Sequence, residues 1–256
     1  MRNCSGNHYQ PSKIEKSKNI KKYSKGCMVC EAKLIYLEKS IKKNCYFCGK
    51  EFWTNTICKK EHFVCDNCHS QDALEFVSNL CINCSEQDMI ALLKKIREHP
   101  SVPMHGPEYH SIVPAIILTV YGVQSGQETH QLIVDAIHRG KTIIGGACSF
   151  LGICGAASGV GIALSLLLKA NPYKGKERQI VQKVVSQVLK DISSYSTARC
   201  CQRDSWLALK AASKILPEYL NIELPAEDKL ICKQFHQNKD CIGKLCPLFP
   251  SSNKKD

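Results

Sequence analysis

The sequence predicts a small zinc-ribbon- or treble-clef-like module at the N-terminus followed by an all-α domain. Three observations predict it. Nine of the 17 cysteines lie between Cys27 and Cys84, and eight of these form the Cys-x-x-Cys pairs Cys27/Cys30, Cys45/Cys48, Cys65/Cys68 and Cys81/Cys84. Such a pair holds two thiolates at the bite of one tetrahedral ion, so two pairs complete a closed site. The composition is also divided, since residues 1–100 are polar and lysine-rich whereas 111–222 carry the long apolar runs. Within those runs apolar residues recur at helical spacing and seldom alternate, which argues for helices.

The elements follow in order. Residues 1–26 read as a disordered basic leader, with seven basic residues and no apolar core. In the metal module, 27–84, residues 33–39 fit a strand after the first knuckle. Residues 69–79 fit a short helix starting just beyond Cys65 and Cys68, where the positive end of the helix dipole favours thiolate. The linker 85–104 contains a helix at 88–99, with Ile90, Leu93 and Ile96 on one face and Pro100 and Pro103 ending it. The domain at 105–225 holds helices at 111–123, 128–139, 154–169, 177–194 and 204–216. In the fourth of these Ile180, Val184, Val188 and Ile192 recur every four residues, and Asp204 is placed to cap the fifth. Residues 150–168 are uncharged, the lower limit for a membrane span. Gly152, Gly155, Gly159 and Gly161 make that stretch a surface for close helix packing, so it is read as a buried core helix. A cysteine-containing tail, 226–256, ends the chain.

The formal charge of +12 is concentrated, because residues 1–60 hold 14 Lys/Arg against 4 Asp/Glu. Two Cys₄ zinc sites, each near −2, would lower the total to about +8. Any nucleic-acid contact is therefore placed in the basic leader, and the rest of the chain is nearly balanced. The leader lacks a signal-peptide core, and paired cysteines without an export signal favour metal in a reducing cytoplasm, with no membrane association. No Gly-x-Gly-x-x-Gly, Walker, Gly-x-Ser-x-Gly or Cys-x₃-Cys-x-x-Cys motif is present, which excludes the commonest nucleotide-binding, serine-hydrolase and radical classes.

Four constellations carry chemistry. The knuckles can pair consecutively, joining Cys27, Cys30, Cys45 and Cys48, then Cys65, Cys68, Cys81 and Cys84; a treble-clef arrangement instead joins Cys45/Cys48 with Cys65/Cys68. Spacing leaves both open, and the strand after Cys30 favours the first. Cys58, His62 and His69 are further ligands within reach, and closed sets of this kind are structural. The second constellation is Cys148, Cys154, Cys200 and Cys201, expected to converge on a [4Fe-4S] cluster or redox centre. Glycines beside Cys148 and Cys154, a helix start at Cys154, and Arg199 and Arg203 beside the vicinal pair all favour thiolate. The third is His105, Glu108 and His110, metal ligands or general acid/base groups expected in the same cavity. The tail supplies Cys232, His236, Cys241 and Cys246, another candidate metal set.

Together these residues carry a resemblance. The run Cys58…His62-Phe-Val-Cys65-Asp-Asn-Cys68-His69, then His105-Gly-Pro-Glu108-Tyr-His110, Gly145-Gly-Ala-Cys148…Cys154-Gly-Ala-Ala157 and Arg199-Cys-Cys-Gln-Arg203, resembles the prokaryotic domain-of-unknown-function family numbered 5714 over about residues 27–250. The family reads Gly-Pro before Arg-Cys-Cys, where this chain has Thr197-Ala198, which puts a tight turn there in question. The resemblance implies no activity; relatives joined to methyltransferase-like domains imply a methyltransferase-like or redox partner protein. The expectation is a cytoplasmic metalloprotein with zinc in the N-terminal module and an iron–sulfur or redox site in the helical domain. The alternative is an RNA- or protein-binding zinc module on a helical scaffold, with Tyr46, Phe47, Phe52, Trp53 and Phe63 available to stack bases.

Overall fold

The computed structural model describes residues 26–30 and 32–250, so the expected leader lies, but for Gly26, outside the described residues. The chain is mostly helical, with one two-stranded antiparallel sheet at its start. Strand β1 (Leu34–Asn44) pairs with β2 (Glu51–Cys58), with Leu34 opposite Cys58 and Asn44 opposite Glu51. β1 begins where the sequence places a strand but runs five residues further than 39. A bulge leaves residues 37–40 of β1 opposite Asn55 alone. The Asn55 side chain pins it, its Nδ2 donating to Leu37 O at 3.1 Å and its Oδ1 accepting from Ser40 Oγ at 2.7 Å.

Helix α1 (Asp66–Asn83) follows, then α2 (Met89–Glu98), α3 (Tyr109–Ser125), α4 (His130–Gly140), α5 (Ala147–Phe150), α6 (Gly155–Leu167), α7 (Gly175–Ser193), α8 (Cys201–Ile215) and α9 (Pro217–Leu220). The tail adds 3₁₀ turns at Phe235–Gln237 and Gly243–Leu245. Asp88 caps α2, accepting from the N–H groups of Ile90 and Ala91 at 2.8 and 2.9 Å. Asp204 does not cap α8, as was expected: Cys200 holds that position, and Asp204 lies inside the first turn, bound to Arg203. The helix starts three residues earlier than expected, and the carboxylate is held by Arg203.

α3 is the axis of the domain. It is buried from Tyr109 to Val120 and packs against α1, α2, α4, α6 and α8. The core is continuous with α1, which contributes Ala73, Leu74, Val77 and Cys81, so one helix serves both the metal module and the helical domain. α6 is the glycine-rich segment, and its small residues admit its neighbours. A Cβ on Gly159 would stand 2.9 Å from Pro114 Cδ and Val113 Cβ of α3. No described helix is long and apolar enough to cross a membrane.

Candidate functional site

Two groups of donor atoms form at opposite ends of the hairpin. At the open end Cys27 and Cys30, just before β1, meet Cys58, the last residue of β2. A turn in which Glu61 takes a left-handed φ of 61° then brings in His62. At the other end Cys45 and Cys48, in the β1–β2 connection, meet Cys65 and Cys68 at the start of α1. The donors of each group lie within 4.8 Å of one another. The Sγ atoms of Cys30 and Cys58 are 3.8 Å apart, those of Cys48 and Cys65 3.9 Å, and His62 Nδ1 is 3.2 Å from Cys30 Sγ and 3.9 Å from Cys27 Sγ. A tetrahedron with metal–sulfur bonds of ~2.3 Å has edges of about 3.8 Å. The donor sets fit a single metal ion each.

This corrects the consecutive pairing. Sites interleave, and Cys58 with His62 take the place that Cys81 and Cys84 were expected to fill. An antiparallel hairpin returns beside its own start, so residues at its two ends meet across strands rather than along the chain. The arrangement joining Cys45/Cys48 with Cys65/Cys68 is the one found. Cys81 is instead wholly buried in the α1 core, where burial pushes its thiol up to about 12.

Within each group the crowded thiols perturb one another. Burial pushes Cys45 upward, yet the backbone N–H groups of Cys65, Cys48 and Phe47 pull it down to about 6. Cys68 is driven to about 12 by burial and by the thiols of Cys65, Cys48 and Cys45. Four crowded sulfurs cannot all ionise unaided, and a bound cation removes that conflict.

Between this module and the helices lies a cavity of about 1100 Å³. His69, His105, His110, Cys148, Arg199 and Cys201 open onto it from separate elements. Glu108 is fully buried behind the wall; its Oε1 lies 2.6 Å from His69 Nδ1, and its Oε2 has no hydrogen-bond partner. The His69–Glu108 contact ties the residue next to candidate ligand Cys68 to the start of α3. Asp66 makes a second tie, its Oδ2 accepting from Gly145 N at 2.7 Å.

The imidazoles are not equivalent. His110 Nδ1 lies 3.0 Å from Ile143 O, and a carbonyl only accepts, so Nδ1 carries the proton. Burial also holds His110 below the usual imidazole range, which leaves Nε2 as a free acceptor. Gly155 is required beneath it, because a Cβ there would collide with the ring. His105 is driven down to about 4 by burial and by the charges of Arg199 and Arg97. Neither ring nitrogen completes a hydrogen bond, although Asn238 comes close.

The sign of the His105 shift makes a prediction. The unfolded imidazole binds its proton near pH 6.5 and the folded one only near 4, so stability is full above 6.5 and falls as pH drops through that window. His105→Gln should lose less melting temperature than the wild type between pH 7 and pH 5. Equal losses, with metal content unchanged in both, would refute it.

The four cysteines expected to converge are divided. Cys148 and Cys201 open onto the large cavity, Cys200 faces a second, smaller one, and Cys154 is buried at the N-cap of α6. None of them belongs to a group of donors close enough to share a single ion among the described residues. At Cys154, Cys200 and Cys201 burial works against the expected thiolate character. Burial and the Asp204 charge raise Cys154 to about 11, against the N–H groups of Ala157 and Ala156, and burial raises Cys201 to about 12 despite Arg199. The pairing of His69 with Glu108 had no signal in the sequence, since 39 residues separate them.

The fold and its sites define a hairpin with two candidate metal centres, docked on a helical domain. The chain belongs to the family of unknown function DUF5714, whose model matches residues 77–249. The match begins within α1, so all eight donors of the two groups precede it. No curated protein and no solved structure matches the chain.

Proposed function

We propose that the protein is a cytoplasmic enzyme in which two structural zinc ions fold the N-terminal hairpin over the helical domain, and that the cavity between them performs proton-transfer and thiol chemistry on an anionic substrate. Cys₃His and Cys₄ donor sets in tetrahedral, closed arrangement suit zinc and leave no position for substrate on the metal. The chemistry therefore belongs to the cavity.

One observation carries this reading: three histidines and two cysteines from separate elements are gathered around a void of ligand size. His110 Nε2 is the base, positioned through Ile143. Neutral His105 is a second acceptor, and Cys148, exposed on α5, is the accessible thiol. Arg199, exposed on the wall and lying 5.6 Å over the Tyr36 ring, anchors a negative charge.

The test is a charged affinity label on the zinc-loaded protein. Iodoacetate should alkylate Cys148 faster, relative to neutral iodoacetamide, than it alkylates glutathione, and Arg199→Gln should remove the preference. A second reading, a nucleic-acid-binding module, draws on the hairpin's exposed aromatics, with Trp53 68% and Tyr46 59% exposed and Lys42 Nζ 5.5 Å over the Trp53 ring. No anion preference at Cys148, together with salt-sensitive binding of single-stranded RNA, would favour that reading instead.

A further inference from the structure

The second cavity holds chemistry that neither the zinc groups nor the large cavity use. Cys200, the N-cap of α8, faces Cys232, Cys241 and Cys246 of the tail across it. We propose that these four cysteines hold a [4Fe–4S] cluster.

The backbone is shaped for metal-bound sulfur. Gly243 N donates to Cys241 Sγ at 3.4 Å, the same i to i+2 turn that Val29 N makes to Cys27 Sγ at 3.4 Å and Lys60 N to Cys58 Sγ at 3.3 Å in the zinc groups. Gly243 takes φ 56°, a conformation that suits glycine and lets the turn close. The N–H of Leu248 points at Cys246 sulfur and that of Arg203 at Cys200 sulfur. Cys232 N donates to Leu248 O at 2.7 Å, which clamps the two ends of the tail loop together. His236 of the tail set is exposed and is not part of the cavity wall.

Size separates a cluster from one ion. In the zinc groups the donors lie within 4.8 Å of one another. Here the four sulfurs are not a group within 4.8 Å, and they ring a space instead. Thiolates on one ion lie about 3.8 Å apart, whereas thiolates around a four-iron core stand further apart because each binds a different iron.

Charge supplies an independent observation. Arg97 of α2 is 8% exposed and bonds to Tyr109 Oη and Gln234 Oε1, but among the described residues it has no carboxylate partner. An unpaired buried guanidinium is costly. It lies on the wall of the large cavity, and its charge reaches Cys200, Cys232 and Cys201. An oxidised cluster on four thiolates carries a net charge of about −2 and provides the missing counter-charge.

Anaerobic purification followed by reconstitution with equal amounts of ferrous and ferric iron and with sulfide should give about four irons and four sulfides per chain in addition to zinc, with brown colour. Cys241→Ser/Cys246→Ser should lose the iron and keep the zinc. Cys148→Ser/Cys154→Ser should keep both. Zinc in place of iron at these cysteines, iron retained in the tail variant, or no iron after reconstitution would overturn the assignment. If the tail variant fails to fold, loss of iron from Cys148→Ser/Cys154→Ser would overturn it as well.

Discussion

Replacing Cys45 and Cys48 by serine is expected to remove one of the two metal ions of the N-terminal module and to unfold the hairpin, while α3 and its neighbours stay folded. A closed four-ligand zinc site contributes on the order of 10–16 kcal/mol of apparent binding energy to small domains. The hairpin has little else to hold it: Tyr46, Phe47 and Trp53 are exposed, and Thr54 and Cys58 are its only buried β2 residues. A two-stranded sheet alone is marginal in water. The loss should stop within α1, because Ala73, Leu74 and Val77 belong to the helical core. Zinc analysis should fall from about two ions per chain to one or none. Hydrogen exchange should become fast over 34–58 and stay slow over 109–120. Two ions retained in this variant, or an unaltered exchange profile in the hairpin, would refute the assignment.

The second large effect is expected at Gly140, the last residue of α4. A Cβ there would stand 2.7 Å from both His110 O and Ser111 Cα, so the obstacle is backbone and cannot rotate away. Gly140→Ala must push α4 off α3 or fail to pack, and overpacking of this kind costs about 1–3 kcal/mol or more. The same movement would disturb Ser111 Oγ, which donates to Ile137 O at 3.0 Å, and the segment carrying Ile143, the partner of His110. The variant should melt several degrees lower. A control such as Gly175→Ala, where a Cβ meets nothing within 4 Å, should melt as the wild type does. Equal melting of both variants would show that α4 and α3 are less tightly apposed.

Particular residues show how much the sequence carries. Helices α2, α3, α4, α6 and α7 lie within two residues of where periodicity places them, because each has an apolar stripe and most have a Pro or Gly near an end. Strand β2 went unrecognised because its eight residues sit between cysteine knuckles that dominate the local pattern. The short α5, four residues long, has no periodicity to read. The ligand types were legible and their partners were not. A Cys-x-x-Cys turn is a local object, whereas its completion by Cys58 and His62 depends on strand register and on a turn at Glu61.

What this sequence determines by itself is local: a module with metal-ligand spacing ahead of a helical domain, the positions of most helices, and the glycine surface of α6. These follow from spacing and composition, which act over a few residues. Tertiary structure alone decided which cysteines gather as candidate donors to one ion and that His69 meets Glu108 across 39 residues. It also sent Cys200 and Cys201 to different cavities, because the residues are neighbours in the chain but leave the start of α8 in different directions. The physical reason is the same in each case. Metal coordination and buried hydrogen bonds select groups that folding brings within a few ångströms, and that proximity is set by hairpin register and by the packing of helices around α3.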